Sequence, residues 1–171
     1  MEVNAINEKL QMSRHVATEN FVEIVEGDII VPDIKPDILK ISKVDGNVFI
    51  SRKDIQDGHL KIDGIVDTYV LYIADNETNQ IKGINTVLNF SENLDMPELK
   101  VGMLANVKSV ITNIEYKIIN GRKVSVKYTI DICVSILENK QIDVIKDIEN
   151  NNCIQKQIDT VCFEELVAHG S

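Results

Sequence analysis

The sequence predicts an all-β fold, either an antiparallel β-sandwich or a strongly coiled sheet of long strands. Turn-forming residues recur at the intervals typical of antiparallel sheets, and the segments between them are rich in β-branched residues. The clearest segment runs from Lys123 to Leu137, where polar or small residues at odd positions alternate with apolar residues at even ones. The apolar positions are Val124, Val126, Tyr128, Ile130, Ile132, Val134 and Ile136. This alternation predicts a strand with one buried face.

The N-terminal residues leave two interpretations open. Ile6 and Leu10 are four positions apart among good helix formers, which allows either a short amphipathic helix or an extended lead-in strand. From Asn20 onward β-branched residues dominate, which indicates a strand, and the Gly27-Asp28 pair predicts a bend or bulge within it.

Two prolines, Pro32 and Pro36, follow this first strand. Each proline removes a backbone donor and pushes the preceding residue into an extended conformation. The segment is therefore predicted to cross at a sheet edge or corner and not to form a helix.

The remaining strands are predicted between turns. They are Ile38 to Val44, Val48 to Arg52, His59 to Ile73, Ile81 to Phe90, Ala105 to Ile119 and Lys123 to Leu137. The predicted turns are Asp45-Gly46-Asn47, Asp57-Gly58, residues 75–79, Asp95-Met96-Pro97, Asn120-Gly121 and Glu138-Asn139. Several of these strands exceed the common length of about five or six residues, which favours a coiled and bulged sheet.

The hairpin around Gly121 has a predictable register. Its first strand has apolar and β-branched side chains at even positions, namely Val110, Thr112, Ile114, Tyr116 and Ile118. Because opposed residues in an antiparallel pair share a face, paired positions must sum to even numbers, which requires an odd loop or a bulge. We expect a three-residue loop with Gly121 in the left-handed conformation, which pairs Ile118 with Arg122 and Tyr116 with Val124.

One domain is expected over residues 1–150, followed in residues 151–171 by a linker and the start of a second copy. The asparagine-rich residues 150–152 are typical of a linker. Beyond them, IQKQID repeats the apolar spacing of INEKLQ, with Ile154 and Ile158 in the places of Ile6 and Leu10. The final two residues, Gly-Ser, resemble a cloning remnant.

Composition limits the function classes. The 171 residues carry 27 acidic and 18 basic side chains, a formal net charge of −9, which disfavours a protein that binds nucleic-acid phosphates. No stretch approaches the roughly 18 consecutive apolar residues of a transmembrane helix, and the N-terminus lacks the basic and apolar regions of a signal peptide. These features predict a cytosolic product without nucleic-acid partners.

The cysteines and histidines predict no cofactor chemistry. The three cysteines lack a CxxC pair, and none of the three histidines has a second ligand at metal-binding spacing, so neither a disulfide framework nor a zinc site is expected. Reduced thiols are the default interpretation. The cysteines are Cys133, Cys153 and Cys162. An intermolecular disulfide through Cys153 or Cys162 remains an alternative.

Catalytic motifs are not found either: the sequence has no GxSxG, HExxH, Walker A or GxGxxG pattern, so no catalytic residue and no enzyme activity are predicted. Asp28, Asp33 and Asp37 cluster around the prolines. Carboxylates there could gather a calcium ion, but satisfaction of local backbone donors explains them better.

A basic segment at the hairpin tip is the one candidate binding surface. It carries Lys117, Arg122, Lys123 and Lys127 on an otherwise acidic protein. Solvation of a charged face is the ordinary explanation of such a run, whereas contact with an acidic partner surface is the functional one.

Three stretches carry a resemblance to a known family. They are EGDIIVPDIKPDILKISKVDGNVFISRKDIQDGHLKIDGIVDTYVLYIADN, INTVLNFSENLDMP and IEYKIINGRKVSVKYTIDI. Together they resemble the SPOCS domain of clostridial spore proteins, over roughly residues 5–150. The resemblance implies a noncatalytic assembly domain that is repeated in tandem and is followed by a C-terminal LysM domain.

The resemblance also implies a place and partners. Proteins of this family act in the mother-cell cytoplasm at the forespore surface, with other spore-coat proteins, and help to bring the coat ATPase SpoIVA there. The family associates the ATPase contact with the LysM region, which these 171 residues do not include.

Three functional hypotheses remain open. The first is a structural and interaction module of spore-coat assembly that packs against sister domains or forms a homo-oligomer. The second is a self-assembling exosporium lattice protein, cross-linked through Cys153 and Cys162. The third is a domain that binds peptidoglycan or another carbohydrate, which the absence of tryptophan disfavours.

Overall fold

A computed structural model describes residues 4–149 together with 157, 159, 160 and 162. The described chain forms six long strands and no helix. They are β1 (Ala5–Ile30), β2 (Ile38–Gln56), β3 (His59–Ala74), β4 (Ile81–Asp95), β5 (Leu104–Asn120) and β6 (Lys123–Ile148). The all-β prediction is confirmed.

The strands form two antiparallel three-stranded sheets. One sheet has the order β1-β6-β5 and the other has the order β2-β3-β4. The sheets face each other as a sandwich, with β5 beside β2 along one seam and β1 beside β4 along the other. The first and last strands, β1 and β6, are paired along almost their whole length.

The core lies between the two sheets, where every second residue of the central strands is buried. Along β6 the buried positions are the even ones from Val124 to Ile136, as the alternation predicts. In β3 they are likewise even, and Leu60, Ile62 and Val66 have no exposed surface. Burial of these side chains supplies the main stabilisation of the sandwich.

The short N-terminal helix is not formed. Residues 5–12 belong to β1, and Leu10 lies opposite Ile142 of β6. The Glu138-Asn139 turn is also wrong, because β6 continues to Ile148 and supplies this partner. Helix propensity over so few residues is weak, and a long pairing partner overrides it.

The predicted turn at Asp45-Gly46-Asn47 is wrong as well, since β2 passes straight through it. A Cβ atom at Gly46 would lie 2.8 Å from Cε1 of Tyr128. The Tyr128 hydroxyl donates a hydrogen bond of 3.1 Å to the carbonyl of Asp45. The glycine thus provides space for an aromatic ring from the opposite sheet.

Near the turn between β5 and β6, the numbers of opposed residues sum to even values, as predicted, and a bulge produces this register. Ile118 lies opposite Val124, whereas the next pair along the ladder is Asn120 with Lys123, so a register shift separates them. The expected three-residue loop is wrong, and Gly121 does not have a positive φ. A second shift between Ile111 and Asn113 moves the inward face to odd positions toward the start of β5.

The proline segment crosses from the β1-β6-β5 sheet to the β2-β3-β4 sheet, as predicted, with one tight turn in which Lys35 N–H donates to Pro32 O at 2.9 Å. The bulge predicted at Gly27-Asp28 is wrong, because the pairing of β1 with β6 continues there without a register shift. Leu88 of β4 packs there instead, 2.4 Å from where a Cβ would stand. The predicted linker at residues 150–152, and most of the segment predicted to start a second copy, lie outside the described residues.

Candidate interaction surfaces

Arg122 at the β5-β6 hairpin tip is bound into the fold. Its Nη1 donates to Asp37 Oδ1 at 2.6 Å, and its Nη2 donates to the carbonyl of Val31 at 3.1 Å and to Asp33 Oδ1 at 3.3 Å. Such charge-assisted bonds are strong when the donor is a fixed guanidinium fork. Arg122 therefore holds the proline segment against the hairpin.

Two of the other predicted basic residues are also paired with carboxylates. Lys123 Nζ lies 2.7 Å from Asp28 Oδ2, and Lys127 Nζ lies 2.9 Å from Glu26 Oε1, both across the β1-β6 ladder. The hydrogen bond and charge of Glu26 raise the pKa of Lys127. Within the described part of the chain, Lys117 is the member of this set that forms no ion pair, and it is exposed.

The predicted basic and acidic clusters thus meet in one mixed-charge surface. Asp33 and Asp37 contact Arg122, and Asp28 contacts Lys123. Among the described residues no group of three or more His, Cys, Asp or Glu side chains could hold a metal ion. These carboxylates serve as partners of the hairpin cations.

The outer face of the β1-β6-β5 sheet carries a groove of about 430 Å³. Two rows of side chains line this groove, one through Cys133 and one through Asp131 of β6. In the second row Asp131 lies between Val22 of β1 and Val110 of β5. Val22 is 58% exposed and Val110 is 57% exposed. Apolar side chains at the centre of an outer sheet face are suited to contact with another protein.

The outer face of the β2-β3-β4 sheet carries a second groove, of about 320 Å³, beside Tyr69 and Leu71. Both side chains are exposed, and Asn85 of β4 lies opposite Tyr69. On the β2 side, Asp45 accepts a hydrogen bond from Lys43, which lowers the pKa of Asp45. This face was not predicted from the sequence, although apolar residues at odd positions of β3 indicate it.

A third surface is the terminal ribbon, defined here as residues 5–14 of β1 paired with residues 138–148 of β6. Strand β5 begins at Leu104, opposite Leu137, so this ribbon extends beyond the three-stranded part of its sheet. Leu10, Ile142 and Val144 lie on one face of it. Two-stranded ribbons bury little surface by themselves, and apolar residues on them favour contact with a further strand or sheet.

Two carboxyl groups meet at the seam between β1 and β4. Glu23 and Glu92 share a side-chain hydrogen bond, which requires a proton on one of them. Burial is the largest cause that raises the pKa of Glu23, and the hydrogen bond and negative charge of Glu92 also raise it, so that the pKa reaches about 7. The backbone N–H of Ile24 acts in the opposite direction.

The family comparison identifies the central part of this architecture. Residues 37–119 match the family described as SipL, SPOCS domain. This part of the chain is similar to a SPOCS domain. This SPOCS match spans β2, β3, β4 and nearly all of β5, while β1 and β6 complete the sandwich outside it. No curated protein and no solved structure matches the chain.

The SPOCS match implies a sporulation-related structural or interaction module. It agrees with the resemblance found from the sequence. No helix among the described residues is long and apolar enough to cross a membrane.

Proposed function

We propose that this SPOCS domain is a noncatalytic scaffold of spore-coat assembly, which works by binding other coat proteins at the forespore surface in the mother cell. The observation that carries the proposal is the SPOCS match over residues 37–119. In the full-length protein, the same role includes helping to localise SpoIVA.

The exposed apolar residues on both outer sheet faces support this proposal. Val22 and Val110 line one groove, and Tyr69 and Leu71 line the other. Exposed apolar side chains next to polar ones resemble the mixed surface of transient protein interfaces. A scaffold with contact surfaces on two opposite faces can join two partners.

Localisation in sporulating cells tests the proposal. The chain, fused to a fluorescent protein and expressed in the mother cell of a sporulating clostridial strain, is expected to form a ring around the forespore. Tyr69→Asp places a charge on one exposed face and should weaken the ring, whereas Glu77→Ala, in the exposed loop between β3 and β4, serves as the control. Diffuse fluorescence of the unmodified fusion would contradict the coat function.

Binding to purified SpoIVA tests the finer part of the proposal. Titration of SpoIVA with the chain, followed by light scattering, should give a complex if this domain contributes to the contact. If no complex forms while the fusion still surrounds the forespore, the partner is another coat protein. A multimer of the chain alone that disappears on reduction would instead favour the self-assembling lattice linked through Cys153 and Cys162, of which Cys162 is exposed.

A further inference from the structure

We propose that the free edge of the terminal ribbon pairs antiparallel with the same edge of a second copy of this chain, about a two-fold axis at Ile142. The inference rests on the proposed function in one respect, namely that the domain acts through protein contacts. It adds the partner, a second copy, and the strand that binds it.

The free edge is a stretch of β6. From Glu138 to Ile145 this strand is paired with β1 on one side, and no strand among the described residues lies on its other side, because β5 begins opposite Leu137. Backbone donors and acceptors along such an edge are available for strand addition. Lys146 is the extra residue of a bulge, which ends the regular stretch.

Side chains on the ribbon give a second reason. Leu10 lies opposite Ile142, and Val144 follows two positions later on the same face. Pairing of two copies would join their ribbons into one four-stranded sheet and would place these apolar residues in a continuous row. Three or more strands with an apolar face are far more stable than an isolated pair.

Charge selects the register. In a two-fold antiparallel pair, opposed residues share a face, so their numbers sum to an even value. Centring the pair on Ile142 places Asp143 opposite Gln141 and brings Glu138 to the level of Lys146 at both ends. Although Lys146 is a bulge residue, its ammonium group contacts Glu8, the partner of Val144, and so lies on the same face as Glu138. Centring it on Asp143 would oppose two identical carboxylates. The Ile142 register therefore matches opposite charges, and it lies within the stretch that β5 leaves free.

Disulfide trapping tests the geometry directly. In a background with C133S, C153S and C162S, the variant I142C places two thiols across the two-fold axis, within the roughly 4.4–6.8 Å that a disulfide spans between Cα atoms. V144C is the matched control, since its two Cα atoms would be about 13 Å apart along the strands. We expect an oxidised dimer for I142C only. Equal trapping of both variants, or trapping of neither, would overturn the proposal.

Charge exchange tests the register independently of cysteine chemistry. By sedimentation equilibrium, E138K and K146E should each weaken the dimer about tenfold, because each places like charges opposite one another twice. The double variant E138K/K146E should restore the dimer, although it does not restore the pairs of Glu138 with Arg14 or of Lys146 with Glu8 within one chain. K9E, on the β1 side of the ribbon, is the control.

The outcomes separate this inference from the proposed function. A chain that stays monomeric at every concentration, or a double variant as weak as the single ones, would overturn the edge pairing. If the fusion still surrounds the forespore in that case, the coat function stands. A dimer with the predicted trapping whose fusion is diffuse would support the pairing and contradict the coat function.

Discussion

The guanidinium of Arg122 and the carboxylate of Asp37 lie 2.6 Å apart, although 85 residues separate them in the sequence. Arg122 stands at the β5-β6 hairpin tip, and Asp37 stands at the end of the segment that joins the two sheets. Backbone bonds reinforce this contact, since Val31 N–H donates to the carbonyl of Arg122 and Ile38 N–H donates to the carbonyl of Gly121. The hairpin and the crossing segment are thus held together as one unit.

Replacing Arg122 should therefore destabilise the domain. Arg122→Ala leaves Asp37 and the carbonyl of Val31 without this donor, and we expect a loss of about 1–2 kcal/mol in the free energy of unfolding, allowing for partial exposure. Urea denaturation followed by circular dichroism measures it. Lys117→Ala is the control, since Lys117 is exposed on the same hairpin. Equal stability of the two variants would show that the Arg122 bonds contribute nothing.

Local sequence patterns predicted the sheet faces better than the strand ends. The alternation along β6 identified its buried positions because a period of two is visible within one strand. The strand through Gly46 and the long N-terminal pairing were missed, because both depend on partners distant in sequence: Tyr128 for the glycine and Ile142 for Leu10. The basic residues were recognised, but a sequence pattern does not tell which carboxylates pair with them.

A glycine on the inner face of β3 permits one close aromatic contact. A Cβ at Gly64 would lie 2.2 Å from Cζ of Phe90, the residue opposite it in β4. Gly64→Ala should cost about 1–3 kcal/mol, because the ring must move within a packed core. Gly83→Ala is the matched control in the same sheet, where the new Cβ would lie 3.5 Å from Leu71, an ordinary contact. Thermal denaturation that places both variants at one melting temperature would contradict this explanation.

The Tyr128 hydroxyl links the two sheets across the core. It donates to the carbonyl of Asp45 at 3.1 Å, and its residue is fully buried. Tyr128→Phe leaves that carbonyl without this donor and should lower the free energy of unfolding by about 1 kcal/mol. Tyr116→Phe, at a tyrosine that is 49% exposed, should leave stability unchanged. Chemical denaturation of both variants measures the difference, and a larger loss for Tyr116→Phe would refute the assignment.

The Glu23–Glu92 contact should make stability depend on pH. The pKa of Glu23 is raised from 4.5 to about 7 in the folded protein, chiefly by burial and then by Glu92. Between these two values the folded chain binds more protons than the unfolded chain, so stability is highest below about pH 4.5 as far as this group is concerned and falls as pH rises through 7. Raising the pH thus places two negative charges together at the β1-β4 seam.

Glu23→Gln removes this titration while it keeps a side chain that can donate to Glu92. We expect its melting temperature to exceed that of the unmodified chain by a few degrees at pH 8, and the gap to close toward pH 5. Glu19→Gln, at an exposed position of the same strand, is the control and should follow the unmodified chain at each pH. Melting temperatures measured at pH 5, 6, 7 and 8 test this prediction. If the difference in melting temperature between Glu23→Gln and the unmodified chain is the same at every pH, the carboxyl pair does not titrate in this range.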